Sequence, residues 1–76
     1  MISAAQVREA LDLLGWTPLT LGVRAFLTLD DVARALDDVN VRHLGGLQLG
    51  AVRETLEAAG IQFIHDADGV RLRKGT

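Results

Sequence analysis

The spacing of apolar residues changes once along this chain, and the change separates two kinds of local structure. Up to Ala59, apolar residues recur at the three- and four-residue intervals of amphipathic helices. After Gly60 they alternate with polar residues, which is typical of strands that bury one face. The pattern therefore predicts a mainly helical chain that ends in a β-hairpin.

Capping residues mark the ends of the first two predicted helices. Ser3 and Gln6 have the spacing of a capping box, in which each side chain bonds the other residue's backbone N–H. Gly15 follows the last periodic residue, where a left-handed helix stop favours glycine. Thr17 followed by Pro18 is typical of a second helix start. The first two helices are therefore predicted over residues 3–14 and 18–25.

Thr28 is predicted to cap a third helix, over residues 29–38. Asp30 and Asp31 fall in its first turn, where the helix dipole favours negative charge. The predicted buried stripe of this helix consists of Val32, Leu36 and Val39, with Leu29 and Ala35 beside it.

The paired glycines at positions 45 and 46 predict a loop over residues 40–46. A fourth helix is predicted over residues 47–59, with Gly60 as its stop. The hairpin is predicted over residues 61–73, with its turn in the sequence DADG at residues 66–69. Its inner face is predicted to carry Ile61, Phe63, Val70 and Leu72.

Length and composition exclude several classes of protein. A chain of 76 residues predicts one domain, over residues 1–76. It has no cysteine, and its two histidines lack the spacing of metal ligands. No arrangement of nucleophile, acid and base stands out, so we predict no catalytic, metal or cofactor site and no enzyme activity.

The distribution of charge is more informative than the net charge of −2. Residues 26–41 carry four aspartates against one arginine, which gives this segment a local charge of −3. The net charge of −2 counts against a general nucleic-acid binder, because phosphate contacts need clustered Lys and Arg. No apolar run approaches the length of a membrane span, and the N-terminus lacks a signal-peptide pattern, so we expect a cytoplasmic protein.

Both ends of the chain resemble the small XRE-family regulators of bacteria. The similarity is carried by AQVREALDLLGWT at residues 5–17, LEAAGIQFI at residues 56–64 and GVRLRK at residues 69–74. The resemblance implies a four-helix lambda-repressor-like helix-turn-helix domain with a C-terminal hairpin. It also implies a bacterial transcriptional regulator that binds duplex DNA as a dimer and places its third helix in the major groove.

The resemblance also implies which residues would face DNA. These candidate DNA-binding residues are Thr28, Leu29, Asp30, Asp31 and Arg34 at the start of the third helix, and Arg42 and His43 in the loop after it. The middle of the chain departs from the family pattern. Pro18 and Leu19 stand where a polar residue usually opens the second helix, and Phe26 stands at the usual turn glycine.

The family-like ends and the divergent middle of the chain lead to two functional hypotheses. The first, which the family resemblance favours, is a DNA-binding regulator that dimerises through its hairpin. The second is a protein-interaction module on the same scaffold, whose acidic third helix docks onto another regulator or an RNA polymerase subunit, or imitates the charge of DNA. The departures in the middle of the chain favour the second, because fold alone does not determine function.

Overall fold

The computed structural model describes residues 2–64 and 69–72 of the chain. It confirms a mainly helical protein with a short antiparallel hairpin. None of the helices among these residues has the length and apolar character needed to cross a membrane. In chain order the elements are α1 (Ala4–Leu14), α2 (Pro18–Ala25), α3 (Leu29–Ala35), the 3₁₀ helix η1 (Asn40–His43), α4 (Gly46–Ala58), β1 (Ile61–Ile64) and β2 (Gly69–Leu72).

The predicted caps of α1 and α2 are confirmed. The backbone N–H of Gln6 donates to Ser3 Oγ at 3.2 Å, and the N–H of Ser3 donates to Gln6 Oε1 at 2.9 Å. Gly15 ends α1 in the left-handed region, with φ of 68°. Thr17 accepts a hydrogen bond from the N–H of Thr20, and Pro18 is the first residue of α2. These ends form as predicted because their bonds join residues only a few positions apart.

The predicted end of the third helix is wrong, because α3 stops at Ala35 rather than at residue 38. Arg8 Nη1 donates to the carbonyl oxygen of Leu36 at 2.7 Å, so a side chain from α1 takes this acceptor. The carboxylate of Asp37 then accepts from the N–H groups of Val39 and Asn40. An aspartate that bonds the backbone ahead of it competes with helix continuation.

The chain after this break differs from the prediction in two further ways. Residues 40–43 form η1 where a loop was predicted, and α4 begins and ends one residue earlier than predicted. Val39 is 68% exposed rather than buried, because the chain leaves the helical path before reaching it. Leu29, predicted beside the buried stripe, is 60% exposed at the start of α3.

One cluster of buried apolar side chains joins the helices to the hairpin. Its largest fully buried members are Leu21, Leu56, Ile61, Val7, Val32 and Val52. Contacts with α1 hold β2, and contacts with α4 hold β1. The hairpin thus completes the core, as a two-stranded sheet needs packing to be stable.

The register of the hairpin pairs Ile61 with Leu72 and Phe63 with Val70. Three of the four residues predicted on its inner face are buried, but Leu72 is 45% exposed at the end of β2. The predicted turn lies outside the described residues, apart from Gly69 at the start of β2, and so does the predicted end of the hairpin at residue 73.

Candidate functional site

The candidate site is built on α2, the short turn after it, and α3. The two helices contact each other closely at Gly22, which is buried. A Cβ atom on Gly22 would lie 3.2 Å from the carbonyl oxygen of Leu27 and 3.3 Å from Val32 Cγ2. Thr28 then caps α3 as predicted, since its Oγ1 accepts from the N–H of Asp31 at 3.1 Å. The two helices and their turn are therefore fixed by close packing and a local cap.

Phe26 has an unusual conformation in this turn. It ends α2 in the left-handed region, with φ of 57° and ψ of 43°, and its N–H bonds the carbonyl oxygen of Gly22. Its side chain is 94% exposed. A residue with a Cβ pays roughly 1–2 kcal/mol for this conformation, which glycine adopts freely. Phe26 therefore has a strained backbone, and its aromatic ring contributes little burial to the stability of the fold.

The candidate residues at the start of α3 lie at the surface, with Thr28, Leu29, Asp30 and Arg34 exposed. Asp31 is half-buried and lies 3.8 Å from Arg34, measured from carboxylate oxygen to Nη1. This ion pair spans one helical turn and is partly exposed, so it contributes little stability. It nevertheless places a negative charge beside the one arginine of α3.

Arg42 and His43, the other two candidates, are exposed residues of η1, which contacts α3. Within residues 2–64 and 69–72, Arg42 is the arginine for which the structure records no side-chain partner. Arg8, Arg34 and Arg53 face carboxylates, Arg71 bonds Gln62, and Arg24 lies over the Trp16 ring, with its Cζ 5.0 Å from the ring centre.

Asp37 and Asp38 do not lie on the third helix, so its acidic side is smaller than the sequence predicts. Asp37 holds the start of η1 through its two backbone hydrogen bonds. Asp38 lies 3.4 Å from the guanidinium of Arg8. The hypothesis of four aspartates on one helix is therefore wrong, and Asp30 and Asp31 are the two that α3 carries.

Sequence reasoning missed an apolar surface on α2. Leu19 and Val23 lie one turn apart on α2, and Phe26 follows at its left-handed C-cap. The three side chains are 60%, 67% and 94% exposed. We call these three residues the α2 stripe. The core-facing side of the helix is made by Leu21, Gly22 and Ala25, which are buried. The sequence did contain one signal of this surface. The eight-residue helix α2 has more apolar residues than a single buried face requires.

An open groove of about 350 Å³ is lined by Trp16, Arg24, Glu54, Thr55, Ala58 and Ala59. Among residues 2–64 and 69–72, histidine and acidic side chains form no group of three that would hold a metal ion.

No protein-family model, no curated protein and no solved structure matches the chain.

Proposed function

We propose that this chain is a lambda-repressor-like helix-turn-helix protein of the XRE type whose α2–α3 unit recognises another protein. In this account it is a cytoplasmic regulatory module that acts through protein contact. The helix order, the close α2–α3 contact at Gly22 and the cap at Thr28 support the scaffold. The family-like ends of the sequence, at residues 5–17 and 56–74, support the XRE assignment.

The observation that carries the proposal is the exposed apolar surface beside the turn. The α2 stripe and Leu29 present four large apolar side chains, each at least 60% exposed. Duplex DNA offers a dense row of phosphates, which are bound by cations and polar groups. Exposed apolar side chains gain more from a protein partner, because burial in a protein interface removes their apolar surface from water.

The charges around this surface favour the same conclusion. Asp30 is exposed at the first turn of α3, and Asp31 lies beside Arg34. Negative groups at this position would repel the phosphates that flank a major groove. They would instead suit basic side chains at the rim of a protein partner, since complementary charge guides association.

The test is a fluorescence anisotropy titration of a labelled random-sequence duplex at about 50 mM and about 200 mM salt, the range over which phosphate-mediated binding changes steeply. We expect no saturable binding at either salt concentration and the same result for Arg42→Glu. Saturable binding at low salt that weakens steeply with salt, and that Arg42→Glu abolishes, would contradict the proposal.

A DNA-binding regulator is the second candidate, and one observation favours it. Arg42 and His43 are exposed on η1 beside α3, and the side chain of Arg34 is 50% exposed. In this account α3 enters the major groove, and two copies contact half-sites about one helical turn apart. Arg34→Ala would then relax base preference, whereas a protein-binding module would show no base preference to relax.

A further inference from the structure

An open groove lies where α2 contacts the C-terminal half of α4. Its volume is about 350 Å³, and its lining consists of Trp16, Arg24, Glu54, Thr55, Ala58 and Ala59. Sites for small molecules usually have volumes of about 300 Å³ or more and place a few polar groups around an apolar surface. We propose that this groove binds a small zwitterion, which carries one carboxylate and one ammonium on an apolar body.

The groove is lined by two opposite charges that do not pair with each other. Arg24 belongs to α2 and Glu54 to α4, and both residues are exposed. Among residues 2–64 and 69–72, the structure records no ion pair for either of these side chains. A ligand that lies between them therefore finds a cation on one side and an anion on the other.

Arg24 is held at the groove by Trp16. Its Cζ lies 5.0 Å from the centre of the Trp16 ring. A guanidinium stacked on an aromatic face keeps the N–H groups at its edge available, and these can bind both oxygens of a carboxylate. A side chain that is ordered before binding also loses less conformational freedom on binding. Arg24 is therefore the residue that binds the carboxylate of the ligand.

Glu54 binds the ammonium, and small side chains beside it leave room for the apolar body. An ionised carboxylate only accepts hydrogen bonds, and an ammonium supplies three donors. Ala58 lies one helical turn after Glu54, and Ala59 caps the same end of α4. Together with the half-buried Trp16 ring they form the apolar part of the lining.

The two charges favour a zwitterion over a ligand with a single charge. A carboxylic acid without an ammonium is attracted by Arg24 and repelled by Glu54. An amine without a carboxylate meets the reverse combination. A zwitterion is attracted at both ends, and complementary charge of this kind provides specificity.

This inference does not rest on the proposed function. The residues that line the groove include none of the α2 stripe and none of α3. The duplex titration tests the α2–α3 surface, whereas a zwitterion titration tests the groove. Failure of one proposal is therefore distinguishable from failure of the other.

Trp16 provides the readout, because it is the one tryptophan of the chain and lines the groove. Its fluorescence is titrated with leucine and with ε-aminocaproic acid, whose ammonium and carboxylate are farther apart. We expect a saturable change in emission with a dissociation constant on the order of 1 mM, since the groove is open to solvent. The tighter of the two probes shows which separation of charges the groove accepts.

Derivatives of the tighter probe and matched variants of the protein identify the two contacts. The amide lacks the carboxylate and the N-acetyl derivative lacks the ammonium, so each should bind about tenfold more weakly. Arg24→Gln should bind the probe as weakly as it binds the amide, and Glu54→Gln should bind it as weakly as the N-acetyl derivative. Arg42→Gln is the control, since Arg42 is an exposed arginine of η1 outside the groove. Far-UV circular dichroism checks that each variant remains folded.

Three outcomes would overturn the inference. The first is that neither probe changes the emission of Trp16 up to about 50 mM, a concentration well above the expected dissociation constant. The second is that the amide or the N-acetyl derivative binds as tightly as the probe itself. The third is that Arg24→Gln and Glu54→Gln bind the probe as tightly as the wild type does.

Discussion

Arg8 joins the first helix to the end of the third, because its Nη1 donates to the carbonyl oxygen of Leu36 at 2.7 Å. The same guanidinium lies 3.4 Å from the carboxylate of Asp38. The hydrogen bond satisfies a carbonyl that the end of α3 leaves without a helical partner. The ion pair is largely exposed, at 46% for Arg8 and 73% for Asp38, and is therefore worth less.

Replacing Arg8 should lower the free energy of unfolding more than replacing Asp38. We expect Arg8→Ala to lower the free energy of unfolding by about 1 kcal/mol, because it removes the bond to Leu36 as well as the ion pair. Asp38→Asn should lower it by less than about 0.5 kcal/mol. Urea denaturation measures both, with Arg42→Ala as a control on another exposed arginine. Equal losses for Arg8→Ala and Asp38→Asn would show that the hydrogen bond to Leu36 contributes nothing.

Replacing Phe26 by glycine should stabilise the fold. The side chain is 94% exposed, so its removal loses little burial, while glycine relieves the left-handed strain. We expect a gain of about 1 kcal/mol for Phe26→Gly in urea denaturation at a concentration where the chain is monomeric. Phe26→Ala is the matched control, since it removes the ring and keeps the strain. A gain as large for Phe26→Ala would mean that the ring, and not the backbone, is unfavourable.

The cap of α3 can be tested at Thr28. Its Oγ1 accepts from the N–H of Asp31 at 3.1 Å, so Thr28→Ala leaves that donor without its partner. We expect a loss of about 1 kcal/mol in the free energy of unfolding for Thr28→Ala. Thr28→Ser keeps the hydroxyl and should cost little. If the serine variant is as unstable as the alanine variant, the hydroxyl does not cap the helix.

A buried amide links α1 to the hairpin, and its replacement should make stability depend on pH. Gln6 is 4% exposed, and its Nε2 donates to the carbonyl oxygen of Gly69 at 3.1 Å. In Gln6→Glu, an ionised carboxylate cannot donate this bond, whereas a protonated carboxyl can. The variant should therefore lose about 1–3 kcal/mol relative to wild type near neutral pH, and less in mild acid.

The pH dependence of Gln6→Glu is measured by urea denaturation of the variant and the wild type at each pH. Burial favours the protonated carboxyl in the folded state. Its protonated form therefore supports folding at low pH, and that support is lost as the pH rises and the carboxyl ionises. A difference between variant and wild type that stays constant across this range would argue against the bond to Gly69.

Local signals in the sequence were sufficient to predict where α1, α2 and α3 begin. Ser3, Thr17 and Thr28 each cap a helix as predicted, because the capping bond joins residues three positions apart. The end of α3 could not be predicted in the same way. It depends on Arg8, which is 28 positions away from Leu36, and on Asp37 bonding the backbone ahead of it.

The candidate site shows a similar division. The sequence indicated Asp30, Asp31 and Arg34 as surface residues, which the structure confirms in part by placing Asp30 and Arg34 in solvent and Asp31 half-buried. It did not indicate that Leu19 and Val23 are exposed, because periodicity reports that a helix has an apolar face and not which face is buried. Only the position of α2 against the other helices separates its buried side from the stripe.

Nitrogen–proton correlation spectra, recorded while the chain is titrated with random-sequence duplex at about 50 mM salt, test the central claim most directly. The account predicts that added duplex leaves the whole spectrum unchanged. It is contradicted if duplex shifts the signals of residues 28–34 together with those of Arg42 and His43.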